Sequence, residues 1–248
     1  MAEAVPETVV VVPTYNEREN LPILVGRLLE LGRPGLHVLV VDDDSPDGTG
    51  DVADKLAAEF PEAVAVLHRA EKDGLGRAYV AGMTLALAEG ADAVVQMDAD
   101  LSHPVGVVPV LVETLRTTDA GIVVGSRYVP GGSTATDWPR RRKALSACAN
   151  VYVDAILRLG VKDATAGFKA WRASALRAID LSSVRSDGYS FQVELLHRAV
   201  RNGVRVVEVP IRFEERVHGA SKMSWKVQVE SALMPWRLRF GRMPGNGA

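Results

Sequence analysis

Short apolar runs alternate with helix-like segments along the first half of the chain, and this alternation is the strongest constraint on its fold. The runs predict buried strands over residues 8–12, 36–41, 63–67, 93–97 and 121–124. Apolar residues at helical spacing predict helices over residues 21–31, 51–60, 78–89 and 105–115. Because strands that alternate with helices are joined by right-handed crossovers, we expect a mainly parallel sheet. Its strands are apolar almost throughout, so helices must cover both of its faces.

The second half of the chain is less regular. It predicts helices over residues 143–159 and 189–202, a strand over residues 204–209 and a terminal helix over residues 226–240. Pro235 interrupts or bends the terminal helix. The length of 248 residues fits one domain with an appendage. We therefore expect an α/β domain over residues 1–225 and an amphipathic helix with a tail over residues 226–248.

Composition excludes several classes of protein. The net charge of −2 argues against a nucleic-acid partner. The single cysteine, Cys148, excludes an internal disulfide and a cysteine-based metal cluster, and it fits a reducing compartment. The longest nearly apolar stretch, residues 144–157, is interrupted by Asn150 and Asp154 and is shorter than the roughly 20 residues that cross a bilayer. The sequence therefore predicts a soluble or peripheral protein.

Asp98-Ala99-Asp100 follows the fourth predicted strand. Side chains two positions apart on an extended chain point the same way, so both carboxylates leave the strand on one side. Two such oxygen donors suit Mg²⁺ or Mn²⁺. Chance supplies about one Asp-x-Asp in a chain of this composition, and Asp42 with Asp44 forms a second pair, so context must decide.

That context is the edge of the predicted sheet. In open parallel sheets, ligands bind beyond the carboxyl ends of the strands. Asp42-Asp43, Asp98 with Asp100, and Ser126-Arg127 all follow predicted strands and fall at this edge. Residues 45–48, Ser-Pro-Asp-Gly, also have good turn chemistry. An Asp after the second strand can accept a hydrogen bond from the ring N–H of a nucleobase.

Seven stretches resemble family 2 glycosyltransferases, and most closely the polyprenyl (dolichyl) phosphate mannosyltransferases within that family. In chain order they are PTYNE (residues 13–17), VDDDSPDGT (41–49), MDADLSHP (97–104), GSRY (125–128), DATAGFKAWR (163–172), VPIRFEER (209–216) and GASK (219–222). The similarity spans about residues 8–225. Because the motifs occur in order, together they are far more specific than any one of them.

The resemblance implies a GT-A fold, which is Rossmann-like, with the nucleotide under the ends of the first two strands. It implies that the base and ribose contact Pro13, Tyr15, Glu17, Val41 and Asp43. We also expect the rest of the nucleotide sugar to contact Asp98, Ala99, Asp100 and Gln192.

The metal ligands implied by the resemblance are Asp98 and Asp100. Some relatives add a Gln two residues after the second Asp. Ser102 occupies that position here, and its shorter, neutral side chain leaves direct coordination open.

Four cations are candidates for binding the acceptor phosphate: Arg127, Arg142, Arg216 and Lys222. An Arg fork matches phosphate oxygens, whereas Lys acts as a point charge. For Arg142 the alternative is a solvated helix start, and for Arg216 and Lys222 an ordinary solvated loop. The catalytic candidates are Asp100, Arg127 and Arg216. Gln192 and Glu194 could touch sugar hydroxyls or share the polar face of a helix.

The absence of one sequence motif indicates which kind of acceptor receives the sugar. Family members that act on sugar hydroxyls need a carboxylate base and carry Gln-x-x-Arg-Trp, which this chain lacks. A phosphomonoester has a second pKa near 6 and is already an anion, so it needs positioning rather than a base. The expected acceptor is therefore a lipid phosphate, attacked from the face that inverts the anomeric carbon.

The leading hypothesis is metal-dependent transfer of mannose from GDP-mannose to a polyprenyl phosphate. One alternative is a glucosyltransferase that uses UDP-glucose. A nucleotidyltransferase would place a Gly-rich basic loop where residues 13–17 stand, and a non-catalytic scaffold would not need both Asp98 and Asp100.

The expected location is peripheral, at the cytoplasmic face of a membrane. Aromatic residues and Arg in the terminal segment, residues 225–242, suit a bilayer surface. Their packing on the domain is an equally good explanation. A separate integral membrane protein could also recruit the chain.

Overall fold

The computed structural model describes residues 7–136, 138–184, 186, 188–215 and 225–241. The strands are β1 (Thr8–Thr14), β2 (Leu36–Asp42), β3 (Val64–His68), β4 (Ala93–Gln96), β5 (Ile122–Ser126), β6 (Lys169–Arg172) and β7 (Val206–Pro210). The α-helices are α1 (Asn20–Leu29), α2 (Thr49–Glu59), α3 (Leu75–Ala88), α4 (Val108–Thr117), α5 (Arg140–Leu157), α6 (Ala173–Arg177), α7 (Gly188–Arg201) and α8 (Trp225–Phe240).

Within these residues the strands form one seven-stranded sheet in the order β3-β2-β1-β4-β6-β5-β7. Neighbouring strands are parallel except where β6 pairs antiparallel with β4 on one side and β5 on the other. The prediction of a mainly parallel α/β sheet is therefore confirmed. The antiparallel strand β6 was not predicted, because its four residues include two cations, Lys169 and Arg172.

The predicted strands and long helices are present, with shifted ends. The helix expected over residues 105–115 begins with a 3₁₀ turn, Val105–Val107, and α4 starts at Val108. The first helix, α1, begins at Asn20, one residue before its predicted start, and Asn16, which has a positive φ of 62°, lies in the preceding loop.

Two apolar layers enclose the sheet. Alternate residues of β1 point to opposite faces: Val9 and Val11 pack with α3, α5 and α7, whereas Val10 and Val12 pack with α1 and α4. This confirms that helices cover both faces, as the continuous apolar runs predicted.

The last helix, α8, lies on the first of these layers. Its Met234 is buried in the same cluster as Val153 and Ile156 of α5. Pro235 falls inside the helix. In the parts of the chain that the structure describes, no helix has the length and apolarity needed to cross a membrane. The amphipathic character of α8 and the domain boundary at residue 225 stay predictions.

Helix α3 lies unusually close to the sheet at Gly82. A Cβ atom at this position would be 2.5 Å from Val11 Cγ1 and 2.8 Å from Val41 Cγ2. Both valines are fully buried on neighbouring strands, so they have no room to move away. Only glycine lets the helix approach β1 and β2 at this distance.

We expect Gly82→Ala to lower the free energy of unfolding by about 1–3 kcal/mol, because it overpacks this contact. Chemical denaturation followed by circular dichroism measures the change. The matched control is Gly26→Ala in α1, where a Cβ meets nothing within 4 Å. Alanine is the better helix former, so the control should gain up to about 1 kcal/mol. Equal stability of the two variants would contradict the assigned packing of α3.

Candidate functional site

The loops after β1, β2, β4 and β5 lie along one edge of the sheet, because these strands are parallel. Residues 13–17, 41–49, 97–104 and 125–128 are on or next to these loops. The structure therefore brings together four of the sequence stretches that predicted a site.

Asp42 builds the loop after β2. Its buried carboxylate accepts hydrogen bonds from Thr14 Oγ1 at 2.9 Å, from Ser45 Oγ at 2.6 Å and from Ser45 N at 3.1 Å. These contacts join the ends of β1 and β2 and fix the turn that follows. Of the three adjacent aspartates, Asp42 is thus committed to the fold.

The predicted turn at residues 45–48 is present, and it is tied to the loop after β1. Asp47 accepts from Thr49 N at 3.0 Å and from Thr49 Oγ1 at 2.5 Å. The backbone N–H of Glu17 donates to the same Thr49 hydroxyl oxygen at 3.0 Å. The two loops expected to hold a base and ribose therefore form one connected surface.

Asp43 is buried at this surface and faces the loop after β3. The Arg69 guanidinium donates to its carboxylate, as do the backbone N–H groups of Asp73 and Gly74. Burial raises the pKa of Asp43, and these three donors act in the opposite direction. The Lys72 ammonium lies 3.5 Å from the centroid of the Tyr15 ring.

Arg69 and Lys72 were not predicted as site residues. Their only signal was two cations soon after the third predicted strand. Pro13 and Val41 are buried beneath the loops, whereas Tyr15 and Glu17 are partly exposed.

Asp98 is held at the end of β4 by three neighbours. Tyr79 Oη donates to Asp98 Oδ1 at 2.7 Å, and burial raises the pKa of Tyr79, which keeps it a neutral donor. The backbone N–H of Asp98 donates to His103 Nδ1 at 3.2 Å. Gly167 lies against the other oxygen, since a Cβ there would be 3.0 Å from Asp98 Oδ2.

Asp100 is 6% exposed, and Ser102 fixes its orientation. The Ser102 hydroxyl donates to Asp100 Oδ1 at 2.5 Å, and the Ser102 backbone N–H donates to the same oxygen at 3.1 Å. Leu101 between them has a φ of 62°, which turns the chain back toward the strand end. Ser102 thus positions Asp100, and direct coordination of a metal by Ser102 stays open.

The oxygen donors fit a metal ion that takes some of its ligands from the protein and others from a substrate. Two carboxylates, Asp98 and Asp100, leave one strand end, and hard divalent cations prefer such oxygens. No cluster of three or more His, Cys, Asp or Glu side chains that could hold a metal occurs among the described residues. The remaining ligands would have to come from water or from phosphate oxygens.

His103 is a buried, structural residue of the loop after β4. Its ring stacks on Phe168 with centroids 5.1 Å apart, and burial lowers its pKa. A neutral ring whose Nδ1 accepts from Asp98 supports the loop that carries both aspartates.

Arg127 is paired with a carboxylate that the sequence did not single out. Its Nε donates to Asp163 Oδ2 at 2.8 Å, and its Nη2 donates to Asp163 Oδ1 at 2.6 Å. Asp163 is fully buried and also accepts from the Arg127 backbone N–H at 2.9 Å. Arg127 is therefore firmly oriented at the end of β5.

Aromatic rings connect Arg127 to a second candidate, Arg142. The Arg127 guanidinium carbon lies 5.5 Å from the centroid of Phe213, which contacts Trp138 edge-on at 5.6 Å. The Arg142 guanidinium carbon lies 3.8 Å from the centroid of Trp138. Arg142 also pairs with Glu215 at 3.1 Å. Arg216 and Lys222, the other two candidates, lie outside the described residues.

The two polar residues predicted at the start of α7 point to different neighbours. Gln192 accepts from Lys169 Nζ at 2.8 Å and from Gln96 Nε2 at 3.3 Å. Glu194 instead forms a buried ion pair with Arg198, at 2.6 Å from Nη2. Burial lowers the pKa of Lys169 to about 7. Only Gln192 of the two belongs with the groups around Asp98.

Comparison with known proteins agrees with the fold and the motifs. The model of the family described as "Glycosyl transferase family 2" matches residues 9–180. The chain is 52% identical over 219 residues to the polyprenol monophosphomannose synthase of Mycolicibacterium smegmatis, covering 88% of this chain and 81% of that protein. It is 51% identical over 223 residues to the undecaprenyl-phosphate mannosyltransferase of Micrococcus luteus, covering 90% of each chain.

Among solved structures, the fold is similar to glucosyl-3-phosphoglycerate synthase from Mycobacterium tuberculosis in complex with Mn²⁺, UDP and glucosyl-3-phosphoglycerate. The TM-score is 0.68 at 20% identity, and the match covers 97% of this chain and 81% of that one. A structure of the same synthase with UDP also has a TM-score of 0.68 at 20% identity, covering 97% of this chain and 82% of that one. The expected GT-A fold is thereby confirmed.

Proposed function

Because this chain belongs to glycosyl transferase family 2, we propose that it transfers mannose from GDP-mannose to a polyprenyl phosphate. The observation that carries the proposal is its identity of about one half with two proteins named for polyprenyl phosphate mannose synthesis, over most of both lengths. In the proposed reaction a phosphate oxygen of the lipid attacks the anomeric carbon. The bond from that carbon to the diphosphate breaks, GDP leaves, and the configuration inverts.

Asp98 and Asp100 would hold a Mg²⁺ or Mn²⁺ ion against the diphosphate. Such an ion offsets the negative charge that develops on the leaving group. Tyr79 and Ser102 contribute by fixing the two carboxylates before substrate arrives. A preorganised pair does not have to reorder its side chains on binding.

The nucleotide would lie over the joined loops after β1 and β2, against Pro13, Tyr15, Glu17, Val41 and Asp43. Asp43 is a buried acceptor suited to a ring N–H of the base. Guanine and uracil both carry a ring N–H, so this contact fits either GDP-mannose or UDP-glucose. The names of the two relatives support mannose as the sugar, and GDP as its carrier rests on the family resemblance of the motifs.

The lipid phosphate would approach from the side of β5 and α5. Arg127 and Arg142, joined through Phe213 and Trp138, present two guanidinium groups on one aromatic cluster. We assign Arg216 and Lys222 to the same phosphate from their motif. Since a phosphomonoester is already anionic at neutral pH, the site has to position it and compensate its charge.

Incubation with labelled GDP-mannose and, separately, labelled UDP-glucose tests the donor. With Mg²⁺ and a short polyprenyl phosphate, we expect lipid-extractable label from GDP-mannose only. The same polyprenol without its phosphate is the matched control and should give no product. Equal or faster labelling from UDP-glucose would replace the proposed function with the glucosyltransferase alternative, and labelling of the free polyprenol would exclude a phosphate acceptor.

A membrane surface is the second part of the proposal, because the acceptor is a lipid. Apolar residues of α5 and α8 are exposed side by side, among them Val151 at 70% and Phe240 at 72%. Tyr152 Oη donates to Ala232 O at 2.7 Å, and Trp236 Nε1 donates to Tyr152 Oη at 2.8 Å, which holds the two helices together.

The same two helices also expose cations. Arg140, Arg141 and Arg237 are exposed on the same two helices. Aromatic and aliphatic side chains flanked by Arg suit the interface of an anionic bilayer. We therefore propose peripheral docking at the cytoplasmic face through this surface.

Flotation with liposomes that contain anionic phosphatidylglycerol tests the docking. We expect the wild type to float and Leu233→Ser/Phe240→Ser to stay largely in the dense fraction, because two exposed apolar anchors are lost. Val110→Ser is the control, since Val110 is 49% exposed on the distant helix α4. If the wild type stays in the dense fraction, direct docking is wrong and an integral membrane partner must recruit the chain.

A further inference from the structure

Four polar side chains form a buried hydrogen-bonded series next to Asp98. Trp171 Nε1 donates to Gln96 Oε1 at 2.5 Å, and Gln96 Nε2 donates to Gln192 Oε1 at 3.3 Å. Lys169 Nζ donates to the same Gln192 oxygen at 2.8 Å and to the carbonyl of Ala166. All four side chains are at most 3% exposed, so water does not compete for these contacts.

The series leaves Gln192 only one orientation. An indole N–H can only donate, so the Gln96 atom that faces Trp171 must be its oxygen. The amide nitrogen of Gln96 therefore faces Gln192 and must meet the Gln192 oxygen. This conclusion does not depend on Lys169, which contributes a second donor to the same oxygen.

The amide nitrogen of Gln192 is therefore directed away from the series. The Gln192 nitrogen has no hydrogen-bond partner in the part of the chain that the structure describes. Nor is this nitrogen fully enclosed by other atoms of the described residues, so it borders accessible space. A ligand oxygen placed there would accept a hydrogen bond from this N–H group.

Two series of contacts bring Gln192 into the neighbourhood of Asp98. Its neighbour Phe191 stacks on Tyr79 with centroids 5.8 Å apart, and Tyr79 donates to Asp98. On the other side, Lys169 follows Gly167 by two residues, and Gly167 packs against Asp98. The unpaired amide nitrogen thus lies in the neighbourhood of the proposed metal ligands.

The order of the strands decides which part of a nucleotide sugar this nitrogen meets. The proposed base and ribose contacts lie on β2 and β1, and the diphosphate contacts follow β4. The next strand is β6, which carries Lys169 and lies beside Gln192 of α7. A nucleotide sugar laid across the edge in this order ends with its sugar at Gln192.

We propose that Trp171 and Gln96 are positioning residues that fix the Gln192 amide so that its nitrogen donates to an oxygen of the transferred sugar. This rests on the proposed function, whose donor sugar it would contact. Lys169 has the same positioning role. If these residues served packing alone, substituting them would lower stability but would not change the affinity for a nucleotide sugar relative to that for the nucleotide.

Calorimetric titration of GDP and of GDP-mannose, in Mg²⁺ without acceptor, tests this. In Gln192→Met we expect the ratio of the GDP-mannose Kd to the GDP Kd to rise about 3- to 10-fold, as for one lost hydrogen bond. The Kd for GDP should stay within about twofold, because GDP lacks the transferred sugar. Trp171→Phe removes the N–H group and the five-membered ring of the indole. It should raise the ratio by less than Gln192→Met does.

Glu194→Gln is the matched control, on the same helix but facing Arg198. It should lower the thermal midpoint and leave the ratio unchanged. If Gln192→Met does not fold, Gln192→Glu keeps the acceptor oxygen, loses the N–H donor and should raise the same ratio. An unchanged ratio in a folded Gln192 variant, or equal weakening of both ligands, would overturn the proposal.

Failure of the proposed donor is distinguishable from failure of this inference. If the wild type binds UDP-glucose and not GDP-mannose, the donor assignment is wrong. The ratio is then measured with UDP-glucose and UDP, and a rise in Gln192→Met still supports the role of Gln192.

Discussion

The antiparallel pairing of β6 between β4 and β5 is the contact on which the site depends. Gln96 of β4 and Val124 of β5 both pair with Lys169. An antiparallel strand starts at the edge where its neighbours end, so the loop before β6 meets the loops after β4 and β5. That loop brings Asp163 to Arg127 and Gly167 to Asp98. A parallel strand would have placed these residues at the opposite edge of the sheet.

Buried ion pairs hold side chains in place at a cost in stability. Asp163 with Arg127 and Glu194 with Arg198 are each nearly inaccessible to solvent. Desolvation offsets most of the attraction in such pairs, but removing one partner typically costs about 3–5 kcal/mol. Among the described residues Lys169 donates to two neutral oxygens, those of Ala166 and Gln192, and burial outweighs the attraction of Asp163 and Asp98, so its pKa falls to about 7. These groups fix side chains more than they stabilise the fold.

Sequence patterns predicted the elements whose burial is uniform and missed those that depend on distant partners. The apolar runs gave six of the strands in the described sheet, because continuous burial leaves a clear signal. Strand β6 was missed, since its cations are satisfied by residues far away in sequence. In the same way, nothing in Asp42-Asp43-Asp44 shows that Asp42 binds Thr14 and serves the fold.

The site residues show the same division. Asp98 and Asp100 could be predicted from two-residue spacing at a strand end, since both requirements are local. Gln192 and Glu194 could not be separated, because two residues apart on a helix is a rotation of about 200° and only packing shows which side faces the site. The Asp163 partner of Arg127 lies 36 residues away and required the fold.

The central claim is that Asp98 and Asp100 bind a divalent cation whose shell the nucleotide diphosphate completes. Titration with Mn²⁺, followed by the electron paramagnetic resonance signal of the free ion, tests it most directly when done with and without GDP. The account predicts that GDP strengthens Mn²⁺ binding by about tenfold or more, beyond what GDP binds alone. It also predicts that Asp98→Asn/Asp100→Asn loses this gain while the exposed control Asp92→Asn keeps it. Equal Mn²⁺ affinity with and without GDP, or an unchanged gain in the double variant, would contradict it.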